Sequence, residues 1–357
     1  MPALSPLVVH HGAIGDTIQL TAALEALNRR WGAPCDLVTG REPAAPVVAG
    51  LPAVRSIRAI PSRSHPYWLS ASQRSLVRWL AGRPPSPCYV IERWRHRRVP
   101  WSEATRAEWL LRRGGIPRER ILTSADCRRG PLEHRVDYLL RLARVDPPGF
   151  AGAAPGAFPE PPPAPRLALA PAEIEDCRRW LGGRGWSGEP VVVLQALARR
   201  RKRGRWPEAS WIAVARGILE RLPAARLLVA GAATEVAEAA RLAAAAGDPR
   251  VSSVAGELPL RRLFALLTLA HSAVSLDSGP AHAAAALGCP VVVLAGTADP
   301  RRNRPLGGPG LVHVVDGFAG AWPESAEEWF ARHEVARIAP ASVLAAWEEL
   351  ARRDPAG

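Results

Sequence analysis

The chain has 357 residues, 48% of them hydrophobic, and carries a net charge of +14. That length suits two domains with separate cores. No apolar run approaches the length of a membrane span, and the first 30 residues lack the layout of a secretory leader, so the cytoplasm is the expected location. Five cysteines without CxxC spacing speak against a disulfide framework or a zinc centre and read as reduced, buried thiols.

The charge is uneven. Residues 1–165 hold 23 Lys and Arg against 13 Asp and Glu, a net +10, whereas residues 166–357 hold 24 against 20, a net +4. The first half therefore favours anionic partners such as phosphates, nucleic acid or an anionic membrane surface. Only one of the 47 basic residues is lysine, Lys202, a bias that fits a GC-rich genome.

In chain order, residues 6–10 predict a short strand, followed by HGAIGD and a helix to about Trp31. Strands at Cys35–Val38, Arg55–Ile60 and Cys88–Ile91 alternate with helices at 42–49, 66–81 and 103–113, with a further helix at 133–144. Residues 147–165 then hold eight prolines and three glycines, which reads as a semi-extended linker and a domain boundary. The second half repeats the alternation: helix 171–182, strand Pro190–Leu194, a basic loop, helix 208–222 and strand Arg226–Ala230. Helix 234–246, strand Val251–Val254, helix 259–270, strand Ala273–Leu276, a helix opening at Pro280, and strands Val291–Leu294 and Val312–Val315 complete it. A terminal helix at about 340–353 carries Val343, Leu344, Trp347 and Leu350 on one face and must dock, with the first domain as one candidate. The expected organisation is a first domain over 1–150, a linker over 151–165, a second domain over 166–339 and this final helix. Strands alternating with helices predict an α/β chain of two doubly wound, Rossmann-like domains, with ligands at the C-terminal ends of their strands in a central cleft.

Several constellations bear on chemistry. Gly12 and Gly15 in GAIGD allow close backbone approach, and Asp16 reads either as a general base or as a helix cap whose ionised form the dipole favours. The run Arg199–Trp206 is either a diphosphate clamp containing Lys202 and Arg205 or a solvated loop. Glu235 is placed either to accept ribose hydroxyls or to complement a helix start, and Arg93, Arg95 and Arg97 either grip an anionic acceptor or face solvent. In Asp277-Ser278-Gly279-Pro280-Ala281-His282, a turn feeds a helix whose first amides suit an anion, with Pro280 at its first positions. Asp-x-Asp, Walker, GxSxG and HExxH patterns are absent.

Taken together, HGAIGD, the basic loop ending in RWPEASW, VAGELPLRRLFALL, and VSLDSGPAHAAAALGCPVVVLAGTADP resemble glycosyltransferase family 9, the ADP-heptose:lipopolysaccharide heptosyltransferases. The resemblance implies a GT-B fold, with the first domain as the acceptor side, and inverting transfer of a sugar, in this family heptose, from an ADP-sugar to a lipopolysaccharide core or related glycan. It implies Asp16 as general base, with Gly12 and Gly15 beside it. On the donor side it implies Lys202 or Arg205 at the diphosphate, Glu235 and Leu258 near the nucleoside, and Asp277, Ser278, Gly279, Pro280 and His282 at the sugar-diphosphate. Gly204 stands where the family usually has a lysine, His10 where a basic residue precedes GAIGD and would face the acceptor, and DSG replaces DTG. No cofactor or metal is implied. The expected partners are a nucleotide-sugar, an anionic glycolipid or glycan, and the inner face of the membrane, with no nucleic acid. The alternatives carried are an epimerase or hydrolase of the same fold, and a basic nucleic-acid- or glycan-binding protein.

Overall fold

The computed structural model describes residues 4–40, 44–60, 67–91, 103–197, 205–318 and 320–352. The chain divides into two compact units, 1–168 and 169–357.

The first unit runs β1 (Leu7–His10), α1 (Ile14–Trp31), β2 (Cys35–Thr39), α2 (Ala44–Val48), β3 (Val54–Ala59), α3 (Ala71–Ala81), β4 (Cys88–Ile91), α4 (Glu103–Arg113), β5 (Ile121–Thr123) and α5 (Arg135–Arg144). Its sheet is parallel, in the order β3-β2-β1-β4-β5. Leu7–His10 lie opposite Asp36–Thr39 on one side and Cys88–Ile91 on the other. Buried on both faces, β1 is accordingly a continuous apolar run until its last residue. Gly32 ends α1 in the left-handed conformation, φ 68°, which a side chain would resist. Before it, Trp31 is fully buried, edge-on to Phe150, and donates to the Tyr89 hydroxyl at 3.0 Å.

The second unit runs α6 (Pro171–Gly182), β6 (Val191–Gln195), α7 (Glu208–Arg221), β7 (Arg226–Val229), α8 (Val236–Ala246), β8 (Val251–Ser253) and α9 (Leu260–Leu269). It continues through β9 (Ser272–Leu276), α10 (Gly279–Ala286), β10 (Val291–Leu294), α11 (Pro300–Asn303), β11 (Val312–Val315), α12 (Ala326–Arg332) and α13 (Pro340–Ala351). Its parallel sheet has the order β11-β10-β9-β6-β7-β8. In each sheet the first strand of the unit sits in the middle and the chain winds outward on one side, then returns to wind outward on the other. The order therefore reverses between β1 and β4, and between β6 and β9. Such switch points open a crevice outside the carboxyl ends of the strands.

Most strands and helices fall where the hydrophobic pattern places them. The three-residue β5 is too short to show an alternation, and α11 and α12 lie in a stretch of weak periodicity; none of these was expected.

Two parts of the domain reading are revised by packing. The proline-rich stretch belongs to the first unit, tied to it by the few groups it has. The Gly156 amide donates to the Arg30 carbonyl at 2.9 Å, the Arg144 guanidinium lies 3.9 Å from the Phe158 ring centre, and the Arg166 amide donates to the Thr21 hydroxyl. The terminal helix docks in its own unit, on α7, β10 and β11. Val343, Ala346, Trp347 and Leu350 enter the second core, and Trp347 Nε1 donates to the Ser272 hydroxyl at 2.9 Å.

Candidate functional site

In the first unit, the turn leaving β1 at the switch point carries the Asp16 constellation. Asp16 occupies the third position of α1 and its Oδ2 accepts the Ala13 amide at 2.9 Å. This single contact satisfies the amide of the residue before the helix, so the capping role of Asp16 is realised. The other oxygen, Oδ1, lies 3.5 Å from Nε of Arg135, the first residue of α5. Arg135 is 6% exposed, and its Nε and one terminal nitrogen complete no hydrogen bond. A cation there opposes the α5 dipole and is desolvated, so the structure holds it against two costs. Asp16 offsets part of that cost.

Gly12 is where the glycine is required. A Cβ at this position would lie 2.2 Å from His10 Nε2 and 2.4 Å from the Asp16 Cβ, so both side chains occupy the space that any other residue would need. Gly15 lies half-buried in the first turn of α1.

His10 is corrected by its environment. It is 1% exposed, and neither ring nitrogen completes a hydrogen bond. Burial, followed by the positive charge of Arg135, lowers its pKa to about 3, against an opposing pull from Asp16. The ring is neutral at ordinary pH and buried, so it supplies neither the charge nor the surface expected of an acceptor contact. The cation beside Asp16 is Arg135, some 120 residues away, which the sequence reading missed. Its one local signal is a basic residue at the start of a helix, where the dipole disfavours it.

In the second unit, the turn after β9 adjoins β6 at the other switch point. Ser278 precedes α10 with extended backbone and makes no side-chain cap; its hydroxyl lies 3.3 Å from that of Ser275. The Ala281 amide closes on the Ser278 carbonyl at 3.1 Å, and Pro280 has no N–H. The Gly279 amide, at the positive end of the helix, has no intrahelical acceptor. Ala283, Ala284 and Ala285 are buried, which brings α10 close against β9 and β10. His282 is buried in the first turn.

Asp277 is half-buried, and its amide donates to the Leu294 carbonyl at 3.1 Å. Its carboxylate packs against Gly296, where an added Cβ would meet Oδ2 at 2.9 Å and the Asp277 Cβ at 3.0 Å. The Gly296 carbonyl in turn accepts Trp329 Nε1 at 3.2 Å. Trp329 is fully buried and stacked on His333, with ring centres 4.6 Å apart. Trp329 thus buttresses Gly296, and Gly296 packs against Asp277. Neither Gly296 nor Trp329 was singled out in the sequence.

The remaining candidates are more dispersed. Glu235 turns back on its own backbone, Oε2 accepting the Ala232 amide at 2.7 Å, so its helix-start role is realised. Leu258 is half-buried between β8 and α9, two residues after Gly256, whose φ is 79°. Arg205 is exposed and pairs with Glu238 at 3.4 Å. The following Trp206 is buried edge-on to Trp211, and its Nε1 donates to the Ile338 carbonyl, anchoring the end of the basic loop in the core. Lys202, Arg93, Arg95 and Arg97 lie outside the described residues. Among the described residues no three His, Cys, Asp or Glu gather as a metal site would, and no helix is long and apolar enough to cross a membrane.

Residues 150–314 match the family model of glycosyltransferase family 9 (heptosyltransferase), which bears out the resemblance read from the motifs. No curated protein matches the sequence. Among solved structures, the chain is similar to the ADP-heptose lipopolysaccharide heptosyltransferase II of E. coli, with a TM-score of 0.72, 20% identity and 98% of each chain covered. It is also similar to the glycosyl transferase family 9 protein of Veillonella parvula, with a TM-score of 0.77, 14% identity and 98% of each chain covered. The E. coli heptosyltransferase WaaC, solved with ADP, aligns with a TM-score of 0.64 and 18% identity over 97% of this chain and 100% of that one. The two parallel sheets thus have the fold of the GT-B heptosyltransferase structures.

Proposed function

We propose that this chain, glycosyltransferase family 9 in its residues 150–314, transfers a sugar with inversion from an ADP-sugar, heptose being the favoured group, to a lipopolysaccharide core or related glycan. The observation that carries this reading is the place of Asp277-Ser278-Gly279. The turn lies at the switch point of the second sheet, inside the matched segment, with the Gly279 amide, which has no intrahelical acceptor, at the positive end of α10. That is where a nucleotide diphosphate is received in such sheets.

The acceptor hydroxyl gives its proton to the Asp16 carboxylate as its oxygen bonds to the anomeric carbon. The bond from that carbon to the diphosphate oxygen breaks with its electron pair, leaving ADP. Negative charge grows on the departing diphosphate, and the Gly279 amide and the α10 dipole are fixed in place to meet it. A cation of the basic loop, Lys202 or Arg205, would complete that neutralisation. Donor contacts by Glu235, Leu258, Asp277, Ser278, Pro280 and His282 belong to the same reading, as does an acceptor carried by an anionic glycolipid at a membrane.

Thermal-shift titration with ADP-, GDP- and UDP-sugars tests the donor. ADP-heptose should raise the Tm, and the other nucleotides should do so weakly. Product analysis with ADP-heptose and lipopolysaccharide truncated before its heptoses tests the transfer. Free heptose as the sole product, or no shift with any donor, overturns the proposal.

A further inference from the structure

The 3₁₀ turn Tyr67–Leu69 leads into α3, and α4 packs beside α3. On this face Trp68 is 74% exposed, Leu69 69% and Trp109 45%. Leaving such side chains in water forgoes the hydrophobic stabilisation that burial would recover. Single exposed apolar residues are commonplace; here they are grouped on a turn tip and the helix behind it.

The patch is ringed by cations. Arg74 donates to the Trp68 carbonyl, and Arg78 is exposed one turn further along α3. Arg113 lies 4.5 Å from the Tyr67 ring centre and 5.4 Å from that of Trp109, while those two rings meet edge-on at 5.6 Å. These contacts hold Tyr67 and Trp109 in one arrangement before any partner arrives. Residues 67–81 contain no Asp or Glu, and Glu108 of α4 is engaged by Arg118 at 3.2 Å. Arg113 also lines an open cavity of about 280 Å³, with Arg120 on its wall, room enough for a phosphate group.

We propose that this face is a docking surface for an anionic lipid bilayer. Trp68, Leu69 and Trp109 enter the headgroup–acyl boundary, and Arg74, Arg78 and Arg113 sit among the lipid phosphates. Aromatic rings and an aliphatic tip flanked by arginines match the interfacial zone, where one end of the contact is apolar and the other charged. A single-stranded nucleic acid would also use aromatics and arginines, but it needs open ring faces. Here the Tyr67 and Trp109 rings pack on each other and on Arg113, which leaves the Trp68 ring alone on this face to stack a base, and Leu69 offers a base nothing. The inference deepens the glycolipid reading above by giving the membrane its place on the first unit.

Co-sedimentation of the full chain with phosphatidylcholine vesicles, with and without phosphatidylglycerol, tests it without requiring turnover. Binding should depend on phosphatidylglycerol and weaken as salt is raised. Trp68→Ser with Leu69→Ser should weaken it about tenfold or more, and Arg74→Gln with Arg78→Gln should reduce the phosphatidylglycerol dependence. The Tm shift with ADP-heptose should stay unchanged in both variants, which reports an intact fold. Undiminished vesicle binding by the Trp68/Leu69 variant overturns the surface. So does salt-sensitive RNA binding lost in that variant while vesicles go unbound. Transfer to a soluble glycan without any vesicle binding overturns the docking surface and leaves the proposed reaction standing.

Discussion

Arg135 Nε lies 3.5 Å from Asp16 Oδ1, an ion pair that joins the start of α5 to the start of α1. Two of the buried Arg135 nitrogens complete no hydrogen bond, so the guanidinium fixes the carboxylate by charge and packing while keeping donors to spare. Arg135→Met should lower kcat about tenfold or more, the scale of one charged contact, and Arg135→Lys should recover part of the loss. The positive charge of Arg135 also lowers the His10 pKa. The Met variant should therefore raise the pKa of that imidazole, read by NMR titration; an unmoved imidazole signal would contradict this geometry.

Asp16→Asn keeps an oxygen for the Ala13 amide and removes the proton acceptor. Transfer from ADP-heptose should fall by about 10²–10⁴, the usual worth of a general base, with donor binding near normal by thermal shift. Wild-type turnover in this variant would remove Asp16 from the mechanism.

Gly12→Ala places a methyl 2.2 Å from His10 Nε2 and 2.4 Å from the Asp16 Cβ. The imidazole is enclosed and cannot withdraw, so Asp16 or the backbone must move. Overpacking of this kind costs about 1–3 kcal/mol. Urea unfolding should show a lower midpoint, and transfer should drop further than stability alone explains.

His10 titrates near 6.5 when exposed and near 3 in the folded chain. Between these values the unfolded chain binds more protons, so stability is complete above about pH 6.5 and is lost as pH falls towards 3, at up to about 1.4 kcal/mol per unit. Burial also lowers the pKa of His271 and His333, adding in the same direction. His10→Gln should make the fall of Tm between pH 6.5 and 4.5 shallower without abolishing it. A slope as steep as wild type would show that His10 is not buried neutral.

Gly296→Ala drives a methyl to within 2.9–3.0 Å of Asp277, while Trp329 behind the Gly296 carbonyl limits retreat. Asp277 should be displaced from the turn. If it contacts the donor, the dissociation constant for ADP-heptose should rise about tenfold, the equivalent of 1.4 kcal/mol, with a smaller change in Tm. Unaltered donor affinity would separate Asp277 from the donor site.

Local pattern was enough to read the parallel α/β architecture, because buried strands such as Val191–Gln195 are continuous apolar runs and the helices between them carry clear punctuation. The small-residue start of α10 and the glycines of GAIGD were likewise legible, since each requirement is met within a few consecutive residues. What stayed hidden depends on residues distant in the chain. The neutral state of His10 follows from its burial and from the charge of Arg135 at the start of α5. The partner of Asp16 comes from α5, and the rest of Asp277's environment from Gly296 and Trp329. The proline-rich stretch read as free linker because proline lacks a donor, yet Gly156 and Phe158 find partners on α1 and α5.

The sequence by itself determined two doubly wound halves, the two glycine-bearing turns and the carboxylates beside them, because these are matters of period and backbone freedom. Only the tertiary structure decided which charges stand together. Long-range packing brings Arg135 to Asp16 and excludes water from His10, and no local spacing encodes a contact between elements separated by more than a hundred residues.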